Sequence, residues 1–363
     1  MAQKNNDLER VNKLLEEFSN AHGISGFEKN VRTLLEKKIK PYVDEIRTDN
    51  MGNLIATKKG KGPRVMIAAH MDEIGFMVKY IDDQGYIYFS RSGGWFDQTL
   101  LNQRVIVHTA TKDYYGVIGS KAPHVMKAEE RQRMIPIAEM YVDIGAIDKK
   151  DIQKAGVEIG DTITIDRQYR LLMNDLGSGK ALDNRAGIVS MLETARILAK
   201  EKVDAEIIYV GTVQEEIGLK GARTAAHGVD PDVALAIDTT IPGDHPGIEK
   251  RSSILELGKG PVITVSDAEG AGIVVDEKTL SWLKTTAKDS KIAYQLSVGD
   301  GGMTDAAIIN LTRDGIPSGG VSIATRYLHS PVEVAHLGDI VDCSRLTAEA
   351  VKTAHRYFGK KVR

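Results

Sequence analysis

The chain has 363 residues, 42% hydrophobic and 27% charged, with 48 Lys and Arg against 50 Asp and Glu for a net charge of −2. At about 150 residues per domain this length predicts two domains, or one with a large insertion; the composition excludes a disordered chain, and the balanced charge argues against nucleic-acid and membrane-surface partners, which select a basic face. One cysteine, Cys343, forbids an intrachain disulfide, no apolar run of signal-peptide length opens the chain, and no stretch reaches the ~18 apolar residues of a membrane span, so a cytoplasmic protein is expected.

Two amphipathic helices come first, with Leu8, Val11, Leu14, Leu15 and Phe18 on one stripe and Phe27, Val31, Leu34 and Leu35 on the next, separated at Gly23. Residues 43–57 read as a hairpin turning through Asn50-Met51-Gly52-Asn53, and RVMIAA (64–69) as a buried parallel strand. From 74 to 165 the texture changes: GFMVKYI, YIYFS, RVIVHTA, YYGVIG, MYVDIGA and DTITID follow at close spacing and only KKDIQKAG looks helical, the pattern of a small antiparallel barrel or sandwich. Within it, 121–136 (KAPHVMKAEERQRMIP) is charged and reads as a mobile loop or a flap near a neighbouring site. Beyond it, a helix at 185–200, EIIYVGTV, the helical GLKGARTAAHG, DVALAID, a helix at 277–288, AYQLSV, a short helix at 305–311, GVSIAT and a final helix at 339–358 closed by Gly359 alternate strand and helix. The fold class is therefore α/β, a mostly parallel central sheet covered by helices on both faces, with an inserted small all-β domain. Residues 1–72 plus 168–363 form the α/β domain and 73–167 the insert.

In open α/β sheets ligands bind beyond the carboxyl ends of the strands. RVMIAA runs into His70 with Asp72 two residues on, EIIYVGTV into Gln214, Glu215 and Glu216, DVALAI into Asp238, and GVSIAT leads to His329; Asp183 stands immediately before a helix. His70, Asp183, Glu216, Asp238 and His329 make a two-histidine, three-carboxylate set suited to two divalent ions of the zinc, cobalt or manganese kind, with a carboxylate between them. Each position has a plainer reading: Glu215 and Glu216 as helix-start charges, Asp238 as a turn starter, Asp183 as an N-cap. Their coincidence at strand ends favours the metal centre.

These motifs, AAHMDEIG, ALDNRAG, VQEEIG, the Asp of LAID and RYLHSPVE, are together similar to the motif set of the tetrahedral (TET) metallo-aminopeptidases, deblocking and glutamyl aminopeptidase-like exopeptidases with co-catalytic zinc. The resemblance spans essentially the whole chain. It implies a zinc-exopeptidase-like fold with a PDZ-like or barrel insert, and two divalent ions per subunit, zinc or cobalt. One would be held by His70 and Asp238 and the other by Glu216 and His329, with Asp183 bridging, Glu215 as catalytic base and Asp72 orienting His70. It also implies a cis Asp183–Asn184 peptide, short peptide substrates, and self-association into a tetrahedral dodecamer. The insert is the candidate dimer contact, because Tyr80, Tyr86, Tyr88, Phe89, Trp95 and Phe96 resemble interface composition. GDGGMTDAA resembles the family's GGTDA segment interrupted by Met303, which leaves Asp305 as a helix N-cap as the alternative to a pocket role for Thr304 or Asp305.

The function expected is a cytoplasmic dimetal aminopeptidase removing the N-terminal residue of short peptides by metal-activated water. The alternatives are another dimetal amide hydrolase, such as a deacylase or carboxypeptidase, and a non-catalytic metal-binding assembly protein, which an intact Glu215 disfavours. LGSGKAL fails as a P-loop at Asn174 and Ala181, and a glycosidase needs two free carboxyl groups where these are taken by metal. Cys343 reads as a core thiol, and of the other histidines only His245, in the loop after Asp238, falls near the strand ends.

Overall fold

In the computed structural model, which describes residues 2–299 and 301–361, helices α1 (Ala2–Asn20) and α2 (Lys29–Ile39) precede strands β1 (Glu45–Thr48), β2 (Leu54–Lys58) and β3 (Arg64–His70). Six strands follow: β4 (Gly75–Ile81), β5 (Ile87–Ser92), β6 (Arg104–His108), β7 (Asp113–Ile118), β8 (Val142–Asp143) and β9 (Thr162–Ile165), with short helices α3 (Ala128–Gln132) and α4 (Lys149–Ala155) among them. The remainder is β10 (Arg170–Leu171), β11 (Leu176–Gly179), α5 (Leu182–Ala199), β12 (Glu206–Thr212), α6 (Lys220–Val229), β13 (Val233–Thr240), β14 (Val262–Ser266), α7 (Glu277–Asp289), β15 (Gln295–Val298), α8 (Asp305–Asn310), β16 (Ser318–Arg326), β17 (Glu333–His336) and α9 (Leu337–Thr353).

The central sheet runs β1-β2-β12-β3-β13-β16-β17-β11-β10, with β14 beside β16 and β15 beside β14. Its heart, β12-β3-β13-β16, is parallel, and its flanks are antiparallel apart from the parallel β14–β15 pair. For the β16–β17 pair the short link explains this: β17 follows β16 after six residues, too few for the crossover that a parallel neighbour requires. The sheet is thus mixed, with the expected parallel centre. Alternate residues of one strand feed opposite cores. Val65, Ile67 and Ala69 of β3 join the large cluster under α1, α5 and α9, while Met66 and Ala68 join the one under α6 and α8.

Strands β4 to β9 close a barrel in the order β4-β5-β8-β7-β6-β9, filled by its own core of Phe76, Phe89, Trp95, Val105, Ile118 and Ile163, with Ile152 of α4. Of the aromatics expected at an interface, Phe89 and Trp95 lie inside this core, whereas Tyr80 and Phe96 are exposed. The 121–136 segment is more ordered than a plain loop: it holds a 3-10 turn (Pro123–Val125) and α3, capped where the Lys127 amide donates to Glu130 (2.7 Å). Phe27 leaves the predicted stripe. It is exposed, and α2 buries Val31, Leu35 and Ile39 instead, because the chain turns at Gly26 (φ +86°) and the helix starts only at Lys29. Among the described residues no helix is long and apolar enough to cross a membrane.

Candidate metal centre

The parallel strands bring their carboxyl ends to one edge, and the sequence-predicted side chains meet there. His70 closes β3 beside Thr212 of β12, Asp238 lies in β13 beside Ser322 of β16, Glu215 and Glu216 follow β12, and His329 follows β16. Asp183 enters at the start of α5, where its own backbone is non-helical (φ −77°, ψ 105°) and its peptide bond to Asn184 is cis, as expected. Asn184 fixes this entry: its Nδ2 donates to the carbonyl of Ile237 (2.7 Å), one residue before Asp238, and its Oδ1 accepts from the Gly187 amide (3.0 Å).

Asp183 lies between the two histidines. Its Oδ1 is 3.2 Å from His70 Nε2 and its Oδ2 3.6 Å from His329 Nε2. His70 Nε2 also lies 3.6 Å from Asp238 and 3.9 Å from Glu215, and His329 Nε2 lies 3.4 Å from Glu216. His70 with Glu215 and Asp238, and His70 with Asp183 and Glu216, are each grouped closely enough to hold a metal ion.

Around these, buried acceptors hold the turns. Asp72 accepts the amides of Glu215 (3.0 Å) and Glu216 (3.2 Å) and the hydroxyl of Ser25 (2.6 Å), with Oδ1 3.5 Å from His70 Nδ1. It therefore holds the glutamate turn, while the nearest acceptor to His70 Nδ1 is the Asp72 backbone carbonyl (3.1 Å). Glu333, which the sequence reading left without a role although it closes RYLHSPVE, accepts the Asp183 amide (2.9 Å) and the His329 amide (3.1 Å). Glu28 accepts the amide of Gln214 (3.1 Å), and Glu73 sits in a buried cluster with Lys180 (2.7 Å) and Arg185 (3.3 Å). Ala181, Gln214, Tyr327 and His329 all take left-handed backbone angles (φ 55° to 63°), the uncommon geometry that clusters at functional sites.

Asp305 does not cap its helix. Thr304 holds the N-cap position, and Asp305, the first helical residue, accepts the Thr212 hydroxyl (2.5 Å) while its other oxygen is buried with no partner among the described residues. Met303 is exposed. The ring of His245 lies tilted against that of Tyr327 (5.1 Å), two residues before His329, and its Nδ1 lies against the Pro246 carbonyl.

The electrostatics express a shortage of positive charge. Burial pushes Glu216 up to about 8, with Asp183 adding and His329 opposing; burial likewise raises Glu215 and Asp238. Burial works against a charged His70, but Glu215, Asp183 and Asp238 outweigh it. Asp183 is held low against its burial by hydrogen bonds from both histidines. Among the described residues no Lys or Arg pairs with Asp72, Asp183, Glu215, Glu216 or Asp238. Buried carboxylates of one sign need cations, and imidazole with carboxylate donors suits divalent zinc, cobalt or manganese; the residues fit a metal.

A family model described as M42 glutamyl aminopeptidase matches residues 52–346. The lysyl aminopeptidase of Pyrococcus furiosus is 34% identical over 94% of this chain and 95% of its own length. The solved aminopeptidase APDkam598 of Desulfurococcus kamchatkensis superposes with a TM-score of 0.90 at 39% identity, covering 95% of each chain. The TET1 peptidase of Pyrococcus horikoshii, which can assemble into a tetrahedron or a large octahedral shell, superposes with a TM-score of 0.85 at 31% identity over 94% of this chain and 99% of that one.

Proposed function

The chain belongs to the M42 glutamyl aminopeptidase family and is an aminopeptidase, a hydrolase of peptide bonds; from that premise we propose that it removes the N-terminal residue of short peptides at a centre of two divalent ions, zinc or cobalt. One ion is assigned to His70 and Asp238, the other to Glu216 and His329, with Asp183 shared. The observation that carries this reading is the placement of the two oxygens of Asp183 toward opposite histidines.

Divalent ions bound there supply Lewis acidity toward the scissile carbonyl and toward water. The residues supply the rest. Glu215, which leaves the strand end beside Glu216 and lies 3.9 Å from His70 Nε2, is left out of the ligand assignment as the general base that takes a proton from water and returns it to the leaving amine. Asp72 keeps both glutamates in register through their amides and offers an acceptor to the non-ligating nitrogen of His70, which fixes ring orientation.

Residues 1–72 plus 168–363 are proposed as the catalytic domain and 73–167 as the domain that carries a subunit contact. This reading is supported by the separate barrel core and by the exposure of Tyr80 and Phe96. A homo-oligomer, a tetrahedral dodecamer like that of the TET relatives, belongs to the proposal, as does a cytoplasmic setting, consistent with one buried thiol. The central test is Glu215→Gln. It is expected to keep both ions and lose at least about a hundredfold in turnover; metal content and rate are read on one sample, and near-native activity would refute the base.

A further inference from the structure

The barrel reaches the metal centre itself. After β5 the chain passes through Gly93 and Gly94, and a methyl group placed on Gly94 would lie 2.9 Å from Nδ1 of His329 and 3.3 Å from its Cε1. Gly94 is not in the left-handed region, so its backbone does not require glycine; the approach of the histidine ring does. Gly93 does need its conformation (φ +84°), and a Cβ there would meet Ile74 at 2.5 Å and Glu216 at 3.4 Å. A side chain at Gly94 would thus crowd His329, and one at Gly93 would touch Glu216, the two residues assigned to the second ion.

His329 needs such a stop. It sits in a left-handed turn (φ +57°) with 44% of its side chain exposed, and its Nε2 edge faces Glu216 and Asp183. On the Nδ1 edge lies Gly94. The loop is not free to yield: Trp95 stacks on Phe76 (4.9 Å), its indole donates to the Gly75 carbonyl (3.2 Å), and Ile74 fills the space against Gly93. A free histidine would swing away from an added methyl group, but one held by an ion at Nε2 cannot do so without losing the ion.

We propose that Gly94 of the barrel is a positioning residue, which sets the His329 ring for metal binding by a close approach that only glycine permits. The inference rests on the assignment of His329 as a ligand, and makes the barrel part of the framework of the site as well as a contact domain.

The test uses the full-length protein, stripped with chelator and titrated with Co²⁺, following visible absorption and bound cobalt. Gly94→Ala is expected to leave one ion at native affinity and weaken the other by about 10- to 100-fold, the usual cost of disturbing a ligand's support. A double-mutant cycle separates positioning from general damage. In a His329→Asp background the shorter ligand stands clear of the methyl group, so adding Gly94→Ala should cost little further affinity; additive losses would overturn the proposal. Native affinity for both ions in Gly94→Ala would also overturn it. If instead His329→Ala keeps two ions, the ligand assignment fails, an outcome distinct from failure of Gly94 alone. Thermal unfolding of the stripped variants checks folding, and if Gly94→Ala is too unstable to titrate, folding recovered in Gly94→Ala/His329→Asp supports the clash with the ring, whereas no recovery overturns the proposal.

Discussion

His70 and His329 face the same carboxylate from different surroundings. His70 ends a central strand, is 2% exposed, and has Asp72, Asp183, Glu215 and Asp238 within 4 Å of its ring nitrogens. His329 lies in a loop, its side chain 44% exposed, with its backbone held by Glu333 and its ring bounded by Gly94. The first half of the centre is set by sheet register and the second by loop contacts. Local opening costs least where backbone is least packed, so the first ion should bind to a ready-made site and the second should do part of the ordering itself.

Asp183 is common to both halves, and its loss should be the most severe. Asp183→Ala is expected to abolish binding of either ion and to cut turnover by at least about a thousandfold, roughly 4 kcal/mol of barrier, measured as rate and elemental content together. An active variant holding metal would dissolve the shared carboxylate on which the comparison stands. The asymmetry itself is tested next: after dialysis His329→Ala should retain one of its ions, whereas His70→Ala should retain less than that. Equal retention would erase the distinction.

Glu333→Gln probes the support of the looser half. A carboxylate serves two amides, those of Asp183 and His329, and a carboxamide has one oxygen for both, leaving a buried N–H unmatched at about 1–3 kcal/mol. Thermal unfolding of the stripped protein should fall accordingly. The smallest effect concerns pH on the far side of Glu73. Burial, with Lys180 and His108 adding and Glu73 and Asp113 opposing, holds His22 down at about 4 from an ordinary 6.5. The unfolded chain therefore takes up this proton first, so stability is flat above about 6.5 and declines as pH falls toward 4, by about 1–2 kcal/mol after solvent screening. His22→Gln should flatten that part of a pH–stability curve, and an unchanged slope would remove His22 as its cause.

The tighter half was also the more legible in sequence. Apolar runs such as RVMIAA and DVALAID announce buried parallel strands, and a polar residue closing one is conspicuous, which is why His70 and Asp238 stand out by position. Glu333 gives no such signal, since it lies in a short antiparallel strand after a loop and works through backbone amides whose partners are 4 and 150 residues away. Gly94 is equally silent, because a glycine's reason lies in what approaches it. The barrel was readable from closely spaced strand runs and the β1–β2 flank from its hairpin turn, but the opposite flank was not, since β10, β14 and β17 are short and their neighbours are set by topology. Phe27 misled for a local reason: periodicity cannot tell that a turn at Gly26 delays the helix.

The order of the ligands along the chain has a consequence for synthesis. His70 precedes the whole barrel and His329 lies in the loop between β16 and β17, roughly 260 residues later. At about 5–20 residues per second a ribosome takes tens of seconds to cover that distance. The barrel strands pair only among themselves and have all their partners once residue 165 has emerged, so they can close while the sheet still lacks β12, β13 and β16. Until then the nascent chain displays a histidine and several carboxylates that have no mates. The proposed two-ion centre, and with it the capacity to cut peptides, is complete only once His329 has emerged.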